Sequence, residues 1–218
     1  VAILTGDLIF ARASVLGAEL GPEAVHMQAR TFERLCLGQL HESVGPREGE
    51  DPIEHHLNVI SDKTASLLAT SGAFGALFGG VENFVEVLRS YGEKVGVAFQ
   101  VADDVIDVTG AQIRSGKTPG TDLREGVPTL PILLMRDAAA AGDKDAAAVL
   151  ELVDGDLAED AALARAVEAV AGNPATNQAW GVARQWADAA IEALAPLPEG
   201  TVKESLAAFA DAVVTREL

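Results

Sequence analysis

Residues 99–110 read Phe-Gln-Val-Ala-Asp-Asp-Val-Ile-Asp-Val-Thr-Gly, which sets the carboxylates of Asp103, Asp104 and Asp107 inside an otherwise apolar run. Isolated charge in such surroundings is heavily penalised, so something must balance it. A helical reading, at about 100° per residue, gathers Phe99, Gln100, Asp103 and Asp107 into a wedge of roughly 100° with Asp104 at its edge. Carboxylates that converge on one point repel each other unless a cation sits among them. A hard divalent ion such as Mg2+ takes oxygen ligands and keeps room for the phosphates of a substrate. The plainer alternative is a solvated acidic stripe or helix end.

Other residues offer cations and polar groups that could join such a site. Lys63-Thr64 opens an uncharged stretch from Thr64 to Val81, where an ammonium and a hydroxyl could both reach a diphosphate; a lysine snorkelling from a helix end is the competing reading. Gln39 could hydrogen-bond near a metal site or simply serve a helix–helix contact, since a buried amide needs partners in either case. Asp7 is at most a supporting residue around such a site. Lys117 stands in Gly110-Ala111-Gln112-Ile113-Arg114-Ser115-Gly116-Lys117-Thr118, which superficially suggests a nucleotide P-loop. Five residues separate the glycines where that motif needs four, and Pro119 breaks the helix that should follow. His55 and His56 are adjacent, point about 100° apart on a helix and cannot share one metal face; both are expected to be solvated. Trp180 and Trp186 read as packing.

The elements that must position these groups read as helices at 1–20, 22–44, 52–80, 81–109, 128–141, 143–153, 158–171, 173–195 and 200–217, separated by punctuation such as Gly21-Pro22, Gly45-Pro46 and Gly172-Asn173-Pro174. Segment 110–127 is the one long irregular connection, and it directly follows the aspartates; loops of that length tend to be functional. The chain of 218 residues is long enough for one domain with a sizeable core, 1–218. Aromatics are only 5% of it while apolar residues are 49%, a small aliphatic content that suits helix against helix. An all-α fold is expected.

Composition also excludes classes of function. A formal net charge of −17 argues against nucleic acid and against docking on anionic lipid. Cys36 is the sole cysteine, so no internal disulfide or cysteine-based zinc site is available, and a reducing, cytoplasmic setting fits. The stretch Thr64–Val81 falls short of the ~20 residues needed to span a bilayer and is expected to be a core helix. Its Gly72, Gly75, Gly79 and Gly80 would let a neighbouring backbone or a hydrocarbon come close.

Taken together, FQVADDVIDVTG followed by SGKTPGTDLREGVPTLP resembles the second aspartate-rich motif and adjoining loop of the trans-prenyltransferases, the all-trans polyprenyl diphosphate synthases. GDLIFARA at 6–13, CLGQL at 36–40 and SDKTASL at 61–67 match in the same order, so the resemblance runs from the first residues to Pro131. It implies an isoprenoid synthase-type helical bundle that joins isopentenyl diphosphate to an allylic diphosphate with Mg2+. On that resemblance Asp103 is the leading metal ligand, with Asp104 and Asp107 binding directly or through water. Lys63, Thr64, Gln100 and Lys117 hold the diphosphate, and Phe99 borders the isopentenyl partner. A homodimer is implied as well.

The sequence departs from the family pattern in two respects. Val127 stands where a lysine is usual, so one phosphate contact is missing. The chain opens at Val1-Ala2-Ile3-Leu4 in an amphipathic helix already under way, without the first aspartate-rich motif, the arginine pair after it or the basic isopentenyl diphosphate site. The expectation is therefore a portion of a longer synthase, making a long-chain product for quinone side chains. A short-chain farnesyl or geranylgeranyl diphosphate synthase, a non-catalytic subunit of a heteromeric synthase and a terpene cyclase of the same fold are the alternatives. The cyclase ranks last, because its second metal site usually mixes Asn, Ser or Thr with Glu and no such pattern is present.

Overall fold

A computed structural model describes residues 1–109 and 119–215. Among these residues the fold is helical throughout: α1 (Ala2–Leu20), α2 (Pro22–Val44), α3 (Pro52–Ile60), a π-helical turn (Ser61–Ala65), α4 (Ser66–Phe78), a short 3-10 turn (Glu82–Phe84), α5 (Val85–Thr109), α6 (Thr121–Glu125), α7 (Leu130–Ala140), α8 (Lys144–Val153), α9 (Asp160–Ala171), α10 (Pro174–Ala193) and α11 (Thr201–Thr215). The starts follow local chemistry. Asp51 and Asn173 each precede a proline at the first helical position and accept a backbone N–H two residues on, from Ile53 at 2.8 Å and Ala175 at 3.0 Å. Asp143 caps α8 in the same way through Asp145 and Ala146.

Helix α5 is the axis of the molecule. It is covered by α4 on one side and α10 on another, with α7, α9 and α11 closing around it. Val95, Val97, Val101, Val105 and Val108 are essentially removed from solvent, each worth about 1.5–3 kcal/mol of burial. They feed two apolar clusters. One joins α5 to α7, α8, α9 and the first half of α10, and the other joins its N-terminal half to the end of α10 and α11. Trp180 and Trp186 pack against these clusters, as the sequence suggests.

Helices α4 and α5 cross at backbone contact. A Cβ added at Gly96 would lie 2.4 Å from Ala65 Cα, one at Gly92 2.5 Å from Leu68 O, and one at Gly72 2.6 Å from Leu88 O. Gly72 therefore admits a neighbouring backbone as expected. Gly75 and Gly80 face open space, and a Cβ at Gly79 would meet the carbonyls of Gly75 and Ala76 in the turn before it.

Two sequence expectations on local structure need correction. The helix expected over 52–80 is interrupted by the π-helical turn at Ser61–Ala65. Within the connection expected to be irregular, Thr121–Glu125 forms a helical turn between Gly120 and Gly126, both in the left-handed region with φ of 79° and 71°. Glycine takes that conformation without the penalty a Cβ would bring.

Helix α1 packs chiefly on α2 and buries only Gly17. Ile3, Leu4, Leu8 and Ile9 remain at least 65% exposed. No helix of the described residues is long and apolar enough to cross a membrane.

Candidate functional site

The carboxylates of α5 occupy three different environments. Asp103 is partly exposed, whereas Asp104 and Asp107 are buried, at 4% and 5% exposure. Asp104 Oδ2 accepts hydrogen bonds from His56 Nε2 at 2.8 Å and from the Leu130 N–H at 3.2 Å. Asp107 is tied to the segment after the aspartates: its Oδ2 accepts from the Asp122 N–H at 3.2 Å, and its backbone carbonyl accepts from Gly120 N at 2.8 Å. These bonds bring Asp122, on α6, beside the aspartates of α5.

Asp122 reports the field at this spot. Burial first, and then the negative charges of Asp107, Asp104, Glu125 and Asp103, push its carboxyl up to about 6. A group made reluctant to ionise by its acidic neighbours marks a place where a cation would be favoured. The side chains that make this field are carboxylates, whose oxygens suit a hard divalent ion. Among the described residues no three His, Cys, Asp or Glu side chains converge closely enough to form a ready-made ion cage. Oδ2 of Asp104 is engaged by His56 and Leu130.

The expectation that His55 and His56 are solvated is wrong. Each side chain is only 13% accessible. Helix α3 lies between α2 and α5, so adjacent histidines pointing about 100° apart meet different neighbours. His55 reaches Glu50 Oε1 at 3.1 Å and the His41 carbonyl at 3.2 Å, while His56 reaches Asp104. The geometry that keeps them from sharing a metal sends one of them to the aspartates.

The groups expected to hold a diphosphate are distributed as follows. Thr64 Oγ1 donates to Gln100 Oε1 at 3.1 Å, which brings the π-helical turn against the α5 wedge one turn before Asp103. Lys63 turns toward α2, where its Nζ lies 2.5 Å from Glu42 Oε2; Gln39 Nε2 donates to the same oxygen at 2.9 Å. Gln39 and Lys63 thus meet through Glu42, a residue the sequence reading did not single out. Phe99 is partly buried and packs against the cluster shared with α10 and α11. Asp7 is exposed on α1. Lys117 lies outside the described residues. Val127, where the family pattern has lysine, donates its N–H to the Asp122 carbonyl at 2.9 Å. Arg124, the cation near it in sequence, reaches Asp160 at 2.6 Å and the Leu157 carbonyl at 3.3 Å instead.

The sequence model of the polyprenyl synthetase family matches residues 1–170, which include every candidate site residue above. The chain belongs to the polyprenyl synthetase family. It is 42% identical over 217 residues to the nonaprenyl diphosphate synthase of Mycobacterium tuberculosis, covering 99% of this chain and 64% of that protein. It therefore spans less than two thirds of that relative's length. Its fold matches the geranylgeranyl pyrophosphate synthase of Corynebacterium glutamicum, solved with calcium and isoprenyl diphosphate, with a TM-score of 0.86 at 38% identity over 99% of this chain and 67% of that one. A polyprenyl synthase of Caulobacter crescentus, also solved with calcium and isoprenyl diphosphate, gives a TM-score of 0.85 at 33% identity over 99% and 66%. Helices α10 and α11, which carry no motif and lie beyond the family match, are thus shared polyprenyl synthase architecture.

Proposed function

We propose that this chain is the greater part of an all-trans polyprenyl diphosphate synthase, which condenses isopentenyl diphosphate head to tail with an allylic diphosphate. The observation that carries the reading is the docking of Asp122 beside the α5 aspartates, through its N–H to Asp107 Oδ2, with the Thr64–Gln100 hydrogen bond one turn before Asp103. Family membership, and the calcium and isoprenyl diphosphate named for two structural relatives, support a metal-dependent prenyl diphosphate chemistry.

The chain's own residues divide the work. Asp103 and Asp107 would hold Mg2+, and Asp104 would contribute through the oxygen that His56 and Leu130 leave over. The ion, when bound, neutralises the charge of the departing diphosphate. Lys63 leaves Glu42 to meet that diphosphate, Thr64 and Gln100 orient it, and Lys117 adds a further cation. Phe99 borders the isopentenyl partner. The aliphatic walls from α4 and α5 keep water from the allylic cation, whose capture by the isopentenyl double bond, followed by proton loss, adds one trans unit.

A long-chain product, of the size used in quinone side chains, is favoured by the 42% identity to a nonaprenyl synthase; a geranylgeranyl product would align it with the Corynebacterium enzyme instead. The exposed apolar residues of α1 fit a homodimer interface, and a cytoplasmic setting fits the single cysteine. The test is Asp103→Ala in the intact synthase: diphosphate release should fall by orders of magnitude, and unchanged turnover would overturn the assignment.

A further inference from the structure

The π-helical turn that carries Lys63 and Thr64 is held from behind by one guanidinium. Arg34 of α2 donates through Nε to Asp62 Oδ1 at 2.8 Å, through Nη1 to Glu93 Oε2 at 3.0 Å, and through Nη2 to Glu93 Oε1 at 2.6 Å, Ser61 Oγ at 2.9 Å and the Ser61 carbonyl at 3.2 Å. Ser61 Oγ donates in turn to Glu93 Oε1 at 2.5 Å. One side chain thereby joins α2, both leading residues of the turn, and α5. The pairing with Glu93 is two-pronged, the geometry in which an arginine fixes direction as well as distance.

The Ser61 carbonyl is the atom that defines the turn. It accepts the N–H of Ser66, five residues on, and Arg34 adds a second bond to it. The Asp62 carbonyl is taken by the Ser66 hydroxyl at 2.6 Å. The turn is also wedged from both sides. A Cβ at Gly38 of α2 would stand 2.8 Å from Asp62 Cβ, and one at Gly96 of α5 would stand 2.4 Å from Ala65 Cα. A π turn holds one more residue than an α turn, so its loss would turn the residues within and after it by up to about 100° relative to those before. Thr64 would then lose Gln100.

We propose that Arg34 is a positioning residue for diphosphate binding, one that fixes the π-helical turn so that Thr64 meets Gln100 on the aspartate wedge and Lys63, now paired with Glu42, starts from the adjacent position. The proposal rests on the reading of Lys63 and Thr64 as diphosphate contacts. Burial works against ionisation of Glu93, and the hydrogen bonds from Arg34 and Ser61 outweigh it, leaving its carboxyl below the usual range. The brace is therefore charged at neutral pH.

The probe is inorganic pyrophosphate with Mg2+, titrated calorimetrically into the intact protein at a temperature well below the melting point of every variant. Lys63→Ala with Thr64→Val should weaken binding by about tenfold or more, the loss of one or two charge-assisted bonds. Arg34→Gln should weaken it by about tenfold with helical circular dichroism unchanged, and Arg34→Lys should recover part of the loss. Added to the Lys63→Ala/Thr64→Val protein, Arg34→Gln should cost little more, because it acts through those two residues. Wild-type binding by Arg34→Gln while Lys63→Ala/Thr64→Val binds weakly overturns the positioning role alone. A fully additive loss in the triple variant overturns it too. Wild-type binding by Lys63→Ala/Thr64→Val overturns the diphosphate reading, and the proposal with it. If Arg34→Gln does not fold, Glu93→Gln carries the same measurement: a loss that vanishes in the Lys63→Ala/Thr64→Val protein supports the brace, and no loss overturns it.

Discussion

His56 Nε2 lies 2.8 Å from Asp104 Oδ2, joining α3 to the central helix at the point where the Leu130 N–H also reaches that oxygen. The bond crosses 48 residues of sequence and satisfies a carboxylate only 4% exposed.

Removing the donor leaves that carboxylate short of a partner. His56→Ala should lower unfolding free energy by about 1–3 kcal/mol, the cost of a buried acceptor left unsatisfied. His56→Gln keeps an N–H of similar reach and should lose less. Urea denaturation followed by circular dichroism separates the two, and equal losses would show that ring packing matters more than the hydrogen bond.

The nearness of Asp122 to the α5 aspartates predicts opposite effects of one substitution with and without a divalent ion. Asp122→Asn removes one of the repelling charges next to Asp107, so without divalent ion the melting temperature should rise. With saturating Mg2+ and pyrophosphate the wild type should gain more stability than the variant, since a ligand that prefers the native site stabilises by mass action. Differential scanning fluorimetry in both conditions checks this. A variant that gains as much as the wild type would remove Asp122 from the cation's surroundings.

The α4–α5 crossing separates two glycines that look alike in sequence. Gly96→Ala puts a Cβ 2.4 Å from Ala65 Cα, and overpacking of that kind costs about 1–3 kcal/mol. Gly75→Ala meets nothing within 4 Å on an exposed face of α4, and replacing a helical glycine there should stabilise by about 0.5–1 kcal/mol. Paired thermal melts give the comparison, and a neutral Gly96→Ala would mean the helices separate at little cost.

Tyr91 supplies a pH dependence. Burial pushes its phenol up to about 12, and its hydroxyl donates to the Leu206 carbonyl at 2.7 Å. In the unfolded chain the phenol ionises near pH 10. Its raised folded value means that its contribution is intact below about pH 10 and is lost as pH rises toward about 12. Tyr91→Phe should be less stable than wild type at neutral pH, with the gap narrowing across that window. A gap independent of pH would indicate that the phenol does not titrate with unfolding.

The helices were legible because their information is local. Apolar periodicity and the Asp51-Pro52 and Asn173-Pro174 starts each act within a turn or two, and the expected boundaries of α1, α2 and α5 differ from the observed ones by a few residues at most. The aspartate wedge was legible for the same reason, since the residues at 99, 100, 103 and 107 share a helical face whatever surrounds them. The π-helical turn was not, because it depends on Arg34 from another helix and on the close approach of Gly38 and Gly96. Nothing in Ser61–Ala65 itself announces a widened turn.

What the sequence determined by itself, then, was the all-helical class and the resemblance that family membership bears out, and it nominated the carboxylates with Lys63, Thr64 and Gln100 as a candidate site. The tertiary structure alone decided that His56 is engaged with Asp104 and not with solvent, that Asp122 joins the aspartates, and that Gln39 and Lys63 share Glu42. Each of those partners comes from a different element. A side chain's place on its own helix follows from spacing, but which charge it finally meets follows from how the helices pack.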